Sequence, residues 1–241
     1  MTSTLRIAVL APRALDSNGD AANGRVLAAR ARWAGLNAEV VALETADDFS
    51  VRPDVVVVGT GADEDLPGVL DLLRGVRGAL VGWVSEETEI VAVGAGWELL
   101  AESFETSSGA VEGLGLFPGR AIRAARATDD LVVRSADGVL VGFENHVRRF
   151  TGIAPEHALG AVLHGTGDGA GSEGYRHGTL LGTHLHGPVL AKNPVLADAV
   201  LTRVAERLGA AYSTTDPRIR QADETARAAR EVIAKRLGVG R

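Results

Sequence analysis

Two histidines in Gly182-Thr-His184-Leu-His186-Gly-Pro188, with Asn193-Pro194 just downstream, are the residues of this chain best spaced for chemistry. On a strand, positions i and i+2 face the same side, so His184 and His186 could form a metal pair, or a base beside a structural partner. No third ligand stands close by, and His146, His157, His164 and His177 lie elsewhere, so no metal site is expected. His146 falls in Gly142-Phe-Glu-Asn-His146-Val-Arg148-Arg149, a polar cluster after an apolar run that suits a functional loop or a capped turn. Three glycine-bearing turns accompany these segments. Leu15-Asp-Ser-Asn-Gly-Asp20-Ala-Ala-Asn23 leads into a helical pattern, where Asp20 or Asn18 would cap orphan N–H groups. Gly59-Thr-Gly61-Ala-Asp63 follows a valine run, so its backbone amides either face a pocket at the carboxyl end of a strand or make only a tight turn. Ala92-Val-Gly94-Ala-Gly96-Trp-Glu98-Leu-Leu100 has the strand, turn and helix of a nucleophile elbow, with glycine where the nucleophile would stand.

Composition narrows the chemistry. The 241 residues contain no cysteine, which excludes disulfides, thiolate metal sites, iron–sulfur clusters and a cysteine nucleophile. Twenty-five Lys and Arg against 31 Asp and Glu give a net charge of −6, so no broad basic surface for nucleic acid is expected. No apolar run reaches the roughly 18 residues of a membrane span. Met1-Thr-Ser-Thr-Leu-Arg6 leads into a strand rather than a signal peptide, so a cytoplasmic protein is expected.

The elements that must position these residues show in the apolar periodicity. Runs at 5–10, 38–43, 55–58, 79–83 and 90–93, each bounded by turn residues, predict buried strands. Helical spacing over 21–34 and 67–76 alternates with them, which predicts βαβ units and a mostly parallel sheet. Residues 109–150 read as smaller strands and loops, with short alternating runs at 130–133 and 139–141. Strand-like runs follow at 160–163 and 178–185, then helical patterns at 194–209 and about 219–237. No linker divides the chain, so a single α/β domain is expected.

Taken in order, these segments resemble the GatD glutaminase subunits of lipid II isoglutaminyl synthase, within the cobyric-acid-synthase-like class I glutamine amidotransferases. Residues 15–23 match that family's L-N-x-x-G-D-x-x-N loop and 59–63 its glycine-rich loop. Gly113-Leu-Gly115-Leu116, Gly142-Phe-Glu-Asn-His146, Thr183-His-Leu-His-Gly-Pro188, Asn193-Pro194 and Leu196-Ala-Asp198 follow in the family's order. The resemblance implies a flavodoxin-like domain over 1–211, with a C-terminal helical extension over 212–241 packed on it. It also implies a heterodimer with a MurT-like ligase, which would hold the ATP and magnesium, leaving no cofactor in this chain. In such a complex an elbow cysteine attacks the carboxamide of glutamine, and the released ammonia amidates the D-glutamate of lipid II. Carried across, His186 is the base, the amides around Gly61 and Ala95 form the oxyanion hole, and Gly59, Glu98 and Arg126 belong to the substrate pocket, with Arg126 toward the glutamine carboxylate.

The departures are as informative. The family's elbow reads C-G-G-[YF]-Q, whereas this chain reads Gly94-Ala95-Gly96-Trp97-Glu98, so the cysteine position is Gly94. Val147-Arg-Arg-Phe150 departs as well, where the family favours glycine and threonine. An engineered inactivation of a working glutaminase would change one residue, whereas these changes are several and favour natural loss. A GatD-like subunit without glutaminase chemistry is therefore the leading expectation. Its competitors are a regulatory module holding another small molecule and an enzyme using a serine such as Ser17 or Ser85 with His186.

Overall fold

A computed structural model describes residues 4–239; Met1–Ser3, the head of the segment expected to lead into the first strand, lie outside the described residues, as do 240–241. The first sheet holds β1 (Leu5–Leu10), β2 (Ala38–Leu43), β3 (Val55–Val58), β4 (Glu89–Val93), β11 (Tyr175–His177) and β12 (Leu180–Thr183), in the order β11-β12-β4-β3-β1-β2. All its pairings are parallel except that of the edge strand β11 with β12. Its central strands are apolar on both faces because both are covered. Ile7, Val9, Val55, Val57, Val91 and Val93 pack into one core, and Ala8, Leu10, Val56, Val58, Ile90 and Ala92 into the other.

Helices α1 (Ala22–Trp33), α2 (Leu66–Gly75), α3 (Arg77–Ser85), α4 (Ala95–Leu100), α5 (Val189–Lys192) and α6 (Pro194–Arg207) flank that sheet. The strands expected at 5–10, 38–43 and 55–58 keep those bounds, but β2, expected to be buried, is the sheet's edge strand and buries only Leu43. The run 79–83 is instead part of α3. Its Leu80 and Trp83, three residues apart, are buried while Val81 stays 38% exposed, which is helical rather than alternating periodicity.

The middle of the chain builds a second sheet rather than short strands and loops. Strands β5 (Ser103–Thr106), β6 (Gly109–Glu112), β7 (Arg120–Ser135), β9 (Gly160–His164) and β10 (Ser172–Glu173) run in the order β10-β9-β7-β5-β6, and β8 (Gly138–Thr151) pairs with β7. The β7/β8 hairpin closes where Ser135 faces Gly138, and a glycine at φ +107° suits that turn. Between the pairs Arg123↔Arg148 and Ala127↔His146 the register slips, so that residues 124–126 face Val147 alone. This bulge re-aims Arg126.

The C-terminal α7 (Pro217–Leu237) lies against α1, α5 and β8. Arg30 ties it down. This guanidinium, 3% exposed, binds Asp198 of α6 through Nε and NH2 and Asp223 of α7 through NH1 at 2.7 Å.

Candidate functional site

Parallel strands align their carboxyl ends, and the loops leaving β1, β3, β4 and β12 meet there. Thr183 at the end of β12 pairs with Val93 at the end of β4, so Gly94 and His186 leave neighbouring strands. Gly94 has φ +55° and ψ −124°, a conformation that strains any residue with a side chain, and its amide donates to Thr183 O. His186 is held by backbone bonding to Phe143 of β8. Its Nδ1 lies 2.9 Å from Asp20 Oδ2, and both side chains are fully buried. In the tautomer that donates Nδ1–H to Asp20, the lone pair stands on Nε2, which has no hydrogen-bond partner among the described residues. A Cβ on Gly94 would stand 2.7 Å from His186 Cε1. The pair thus presents a base to the elbow, and the elbow offers no nucleophile.

Asp20 therefore orients His186 rather than capping a helix. Neither Asp20 nor Asn18 caps α1, whose flanking Ala21 has no side-chain cap; the Ala21 amide donates to Asp16 Oδ1 instead.

A cleft of about 320 Å3 opens beside the elbow, lined by Gly61, Gly94, Ala95, Glu98 and Arg126 together with Ser17, Asn18, Thr60, Asp63 and residues 145–148. Five of the seven expected site residues thus share one cavity. Gly59 does not line it: a Cβ there would overlap the carbonyl oxygen of Leu15, so this glycine allows two backbones to pass closely. His186 lies behind Gly94, outside the lining. The amide of Ala95 donates to Thr60 Oγ1 at 2.6 Å, and is therefore occupied rather than open to a ligand oxygen. Arg126, aimed by the bulge, donates to Asn145 Oδ1. Of the two serines weighed as substitute nucleophiles, Ser17 Oγ donates to Thr60 O and Ser85 Oγ to Val81 O of its own helix.

The unusual residues of the elbow and of β8 meet one another. Trp97 stacks on Phe150, with ring centroids 3.4 Å apart, and covers Gly182, where a Cβ would meet the indole at 2.5 Å. Glu98, 2% exposed, accepts from Arg148 Nε at 2.6 Å, and Arg148 binds Asp63 through NH1 and NH2 at 3.0 and 2.5 Å. Hydrogen bonding to Arg148 holds the Asp63 carboxyl below its usual range despite partial burial. Glu98 is consequently half of a buried ion pair in the cleft wall rather than a free charge.

His146, in the cleft lining, stacks on His184 outside it with centroids 4.0 Å apart. His146 bonds Glu144 Oε2 and the Arg148 carbonyl. His184 Nδ1 is 3.5 Å from Glu173 Oε2, and neither ring nitrogen of His184 has a hydrogen-bond partner among the described residues. Burial pushes His184 below its ordinary value; His146 adds to this, and Glu173 opposes it. The unfolded chain takes up a proton near pH 6.5 that the folded chain resists, so the stability present above that pH is lost as pH falls. Melting temperature should drop between about pH 7.5 and about 5.5, and the slope should flatten in His184→Phe. Identical slopes in the two proteins would contradict this. Among the described residues no group of three or more His, Cys, Asp or Glu is placed to hold a metal ion.

Other matched motif residues pin the frame. Asn193 bonds both the N–H and the C=O of Val141, Asn23 Oδ1 accepts from the Leu190 amide, and the amides of 113–116 donate to the carbonyls of 99–102.

Residues 6–194 match the CobB/CobQ-like glutamine amidotransferase domain. The chain is 29% identical over 197 residues to the lipid II isoglutaminyl synthase (glutamine-hydrolyzing) subunit GatD of Staphylococcus aureus, covering 77% of this chain and 79% of that protein. It is 26% identical over 211 residues to the subunit of the same name from Streptococcus pneumoniae, covering 84% and 81%. Among solved structures, a glutamine amidotransferase superposes with a TM-score of 0.53 at 20% identity, over 84% of this chain and 98% of that one. PurLQS from Thermotoga maritima gives 0.52 at 15%, over 91% and 97%. At these identities the two structures speak for the fold alone. By the match over most of its length, the chain belongs to the family of CobB/CobQ-like glutamine amidotransferase domains.

Proposed function

We propose that this chain is the GatD-like subunit of a MurT-type ligase complex that amidates the D-glutamate of lipid II, and that it contributes no glutaminase chemistry of its own. The observation that carries the second half is the Asp20–His186 pair directed at Gly94 in a chain without any cysteine. Hydrolysis by this family's route begins with a thiolate, and a base alone cannot supply one. The partner would hold ATP and magnesium, activate the carboxylate, and draw on free ammonia or another amine. The first half rests on the similarity to the two GatD subunits, which extends over about four-fifths of their length.

The pairings Trp97 with Phe150 and Glu98 with Arg148 support loss of the nucleophile in a remodelled site over a single engineered change, which would leave its surroundings as they were. The competing reading is a regulatory subunit holding a small molecule intact, and the occupied Ala95 amide speaks for it. Purification of the tagged chain from its native cells tests the assignment. A Mur-ligase-like protein is expected to co-purify in a one-to-one complex, and recovery of the chain alone, with no such ligase, would contradict it.

A further inference from the structure

Resting on the reading of the cleft as a glutaminase site without its nucleophile, we propose that Thr60 is a second and separate block on that chemistry. Its hydroxyl fills the place of the absent side chain and occupies the amide that a tetrahedral oxygen would need. Three observations meet at this residue. A Cβ added to Gly94 would overlap Thr60 Oγ1 and would stand 3.1 Å from Thr60 Cβ, so no side chain fits at position 94 while Thr60 stays where it is. Thr60 Oγ1 accepts the Ala95 amide at 2.6 Å, the amide that follows the elbow residue. The threonine is 7% exposed, and β-branching leaves its χ1 few alternatives in so tight a place. An oxyanion hole works by offering unoccupied, preorganised N–H groups to a developing charge, and a donor already bonded to a protein hydroxyl does not offer itself without losing that bond. Restoring a thiol at 94 therefore leaves the site closed, and opening it takes both positions.

The absence of cysteine makes the test specific, since any thiol introduced is the sole one in the chain. Gly94→Cys, Thr60→Gly and the double variant are compared with the unaltered protein for melting temperature and for the rate of alkylation by iodoacetamide at neutral pH. Gly94→Cys should melt lower than the unaltered protein, and Thr60→Gly should recover part of that loss when added to it, a non-additivity that contact between the two positions requires. The thiol of the double variant, free to lie beside His186, should be alkylated roughly tenfold faster than that of Gly94→Cys alone. Equal melting temperatures and equal rates would overturn the proposal. If neither cysteine variant folds, exchange of the Ala95 amide decides: it should quicken at least about tenfold in Thr60→Gly, and unchanged exchange would count against the block. Labelling of Thr60 in the unaltered protein by a fluorophosphonate would assign its hydroxyl a nucleophilic role and would also overturn it. Glutamate release by the unaltered chain, in contrast, would refute the proposed function whatever Thr60 does.

Discussion

Arg148→Ala is expected to destabilise the fold by about 3–5 kcal/mol, because it strands a carboxylate that the protein has already taken out of water. Arg148 is 3% exposed and Glu98 2%, and the carboxylate of Glu98 finds its partner in this guanidinium at 2.6 Å. Burial alone would lower the affinity of Arg148 for its proton; the contacts with Asp63 and Glu98 raise it above the ordinary value instead. Asp63 is 49% exposed on its side chain and recovers hydration when the arginine is removed, so the loss falls mainly on Glu98. For a chain of this size the predicted loss corresponds to a fall in melting temperature of roughly 6–20 °C. Arg126→Ala, at the exposed mouth of the cleft, should change stability by less than about 1 kcal/mol. Replacing Glu98 and Arg148 together by apolar residues of similar volume should restore much of what Arg148→Ala loses, since the penalty lies in the unpaired charge rather than in the absence of the pair. Thermal unfolding of the three variants separates these outcomes. A single Arg148→Ala variant as stable as the parent would show that the pair carries no part of the cleft wall.

How much of this was legible in the sequence depends on the range of the cause. Strands β1 and β3 are readable to the residue because short apolar runs between turn residues report burial directly, whereas β2 has its expected bounds as an edge strand with only Leu43 buried. The same composition misled at 79–83, where a helix buries Leu80 and Trp83 and periodicity over five residues is too short to decide. The β7/β8 hairpin was legible only in its most apolar stretches. Arg120, Arg123, Arg126, Asp129, Asp130 and Arg134 interrupt β7, and its length is set by pairing with β8, not by burial of its own face.

The site divides in the same way. Gly94 and His186 stood out because their segments are distinctive locally. Asp20 read as a cap because nothing in its neighbourhood discloses a partner 166 residues away. Thr60 carries no signal of its own inside a glycine-rich turn, since its significance lies in what it touches at position 94. Glu98 and Arg148 were visible as departures from a family pattern but not as a pair, being 50 residues apart. Inside the fold the two are partners in one buried ion pair.

The other large effect concerns glutamine itself. In enzymes that act through a nucleophile, base and orienting acid, loss of the nucleophile alone removes about six orders of magnitude from turnover. The Asp20–His186 pair retains the geometry of a base, yet His186 Nε2 has no hydrogen-bond partner among the described residues, and the Ala95 amide is spent on Thr60. What the cleft keeps is room for a small ligand between Arg126 and the Glu98–Arg148–Asp63 cluster. The direct measurement is glutamate release from glutamine by the purified chain, alone and with any Mur-ligase-like protein that co-purifies with it, against a buffer blank. Release indistinguishable from the blank in both cases is the predicted result, and turnover at ordinary enzymatic rates of about 1–1000 per second would contradict the account.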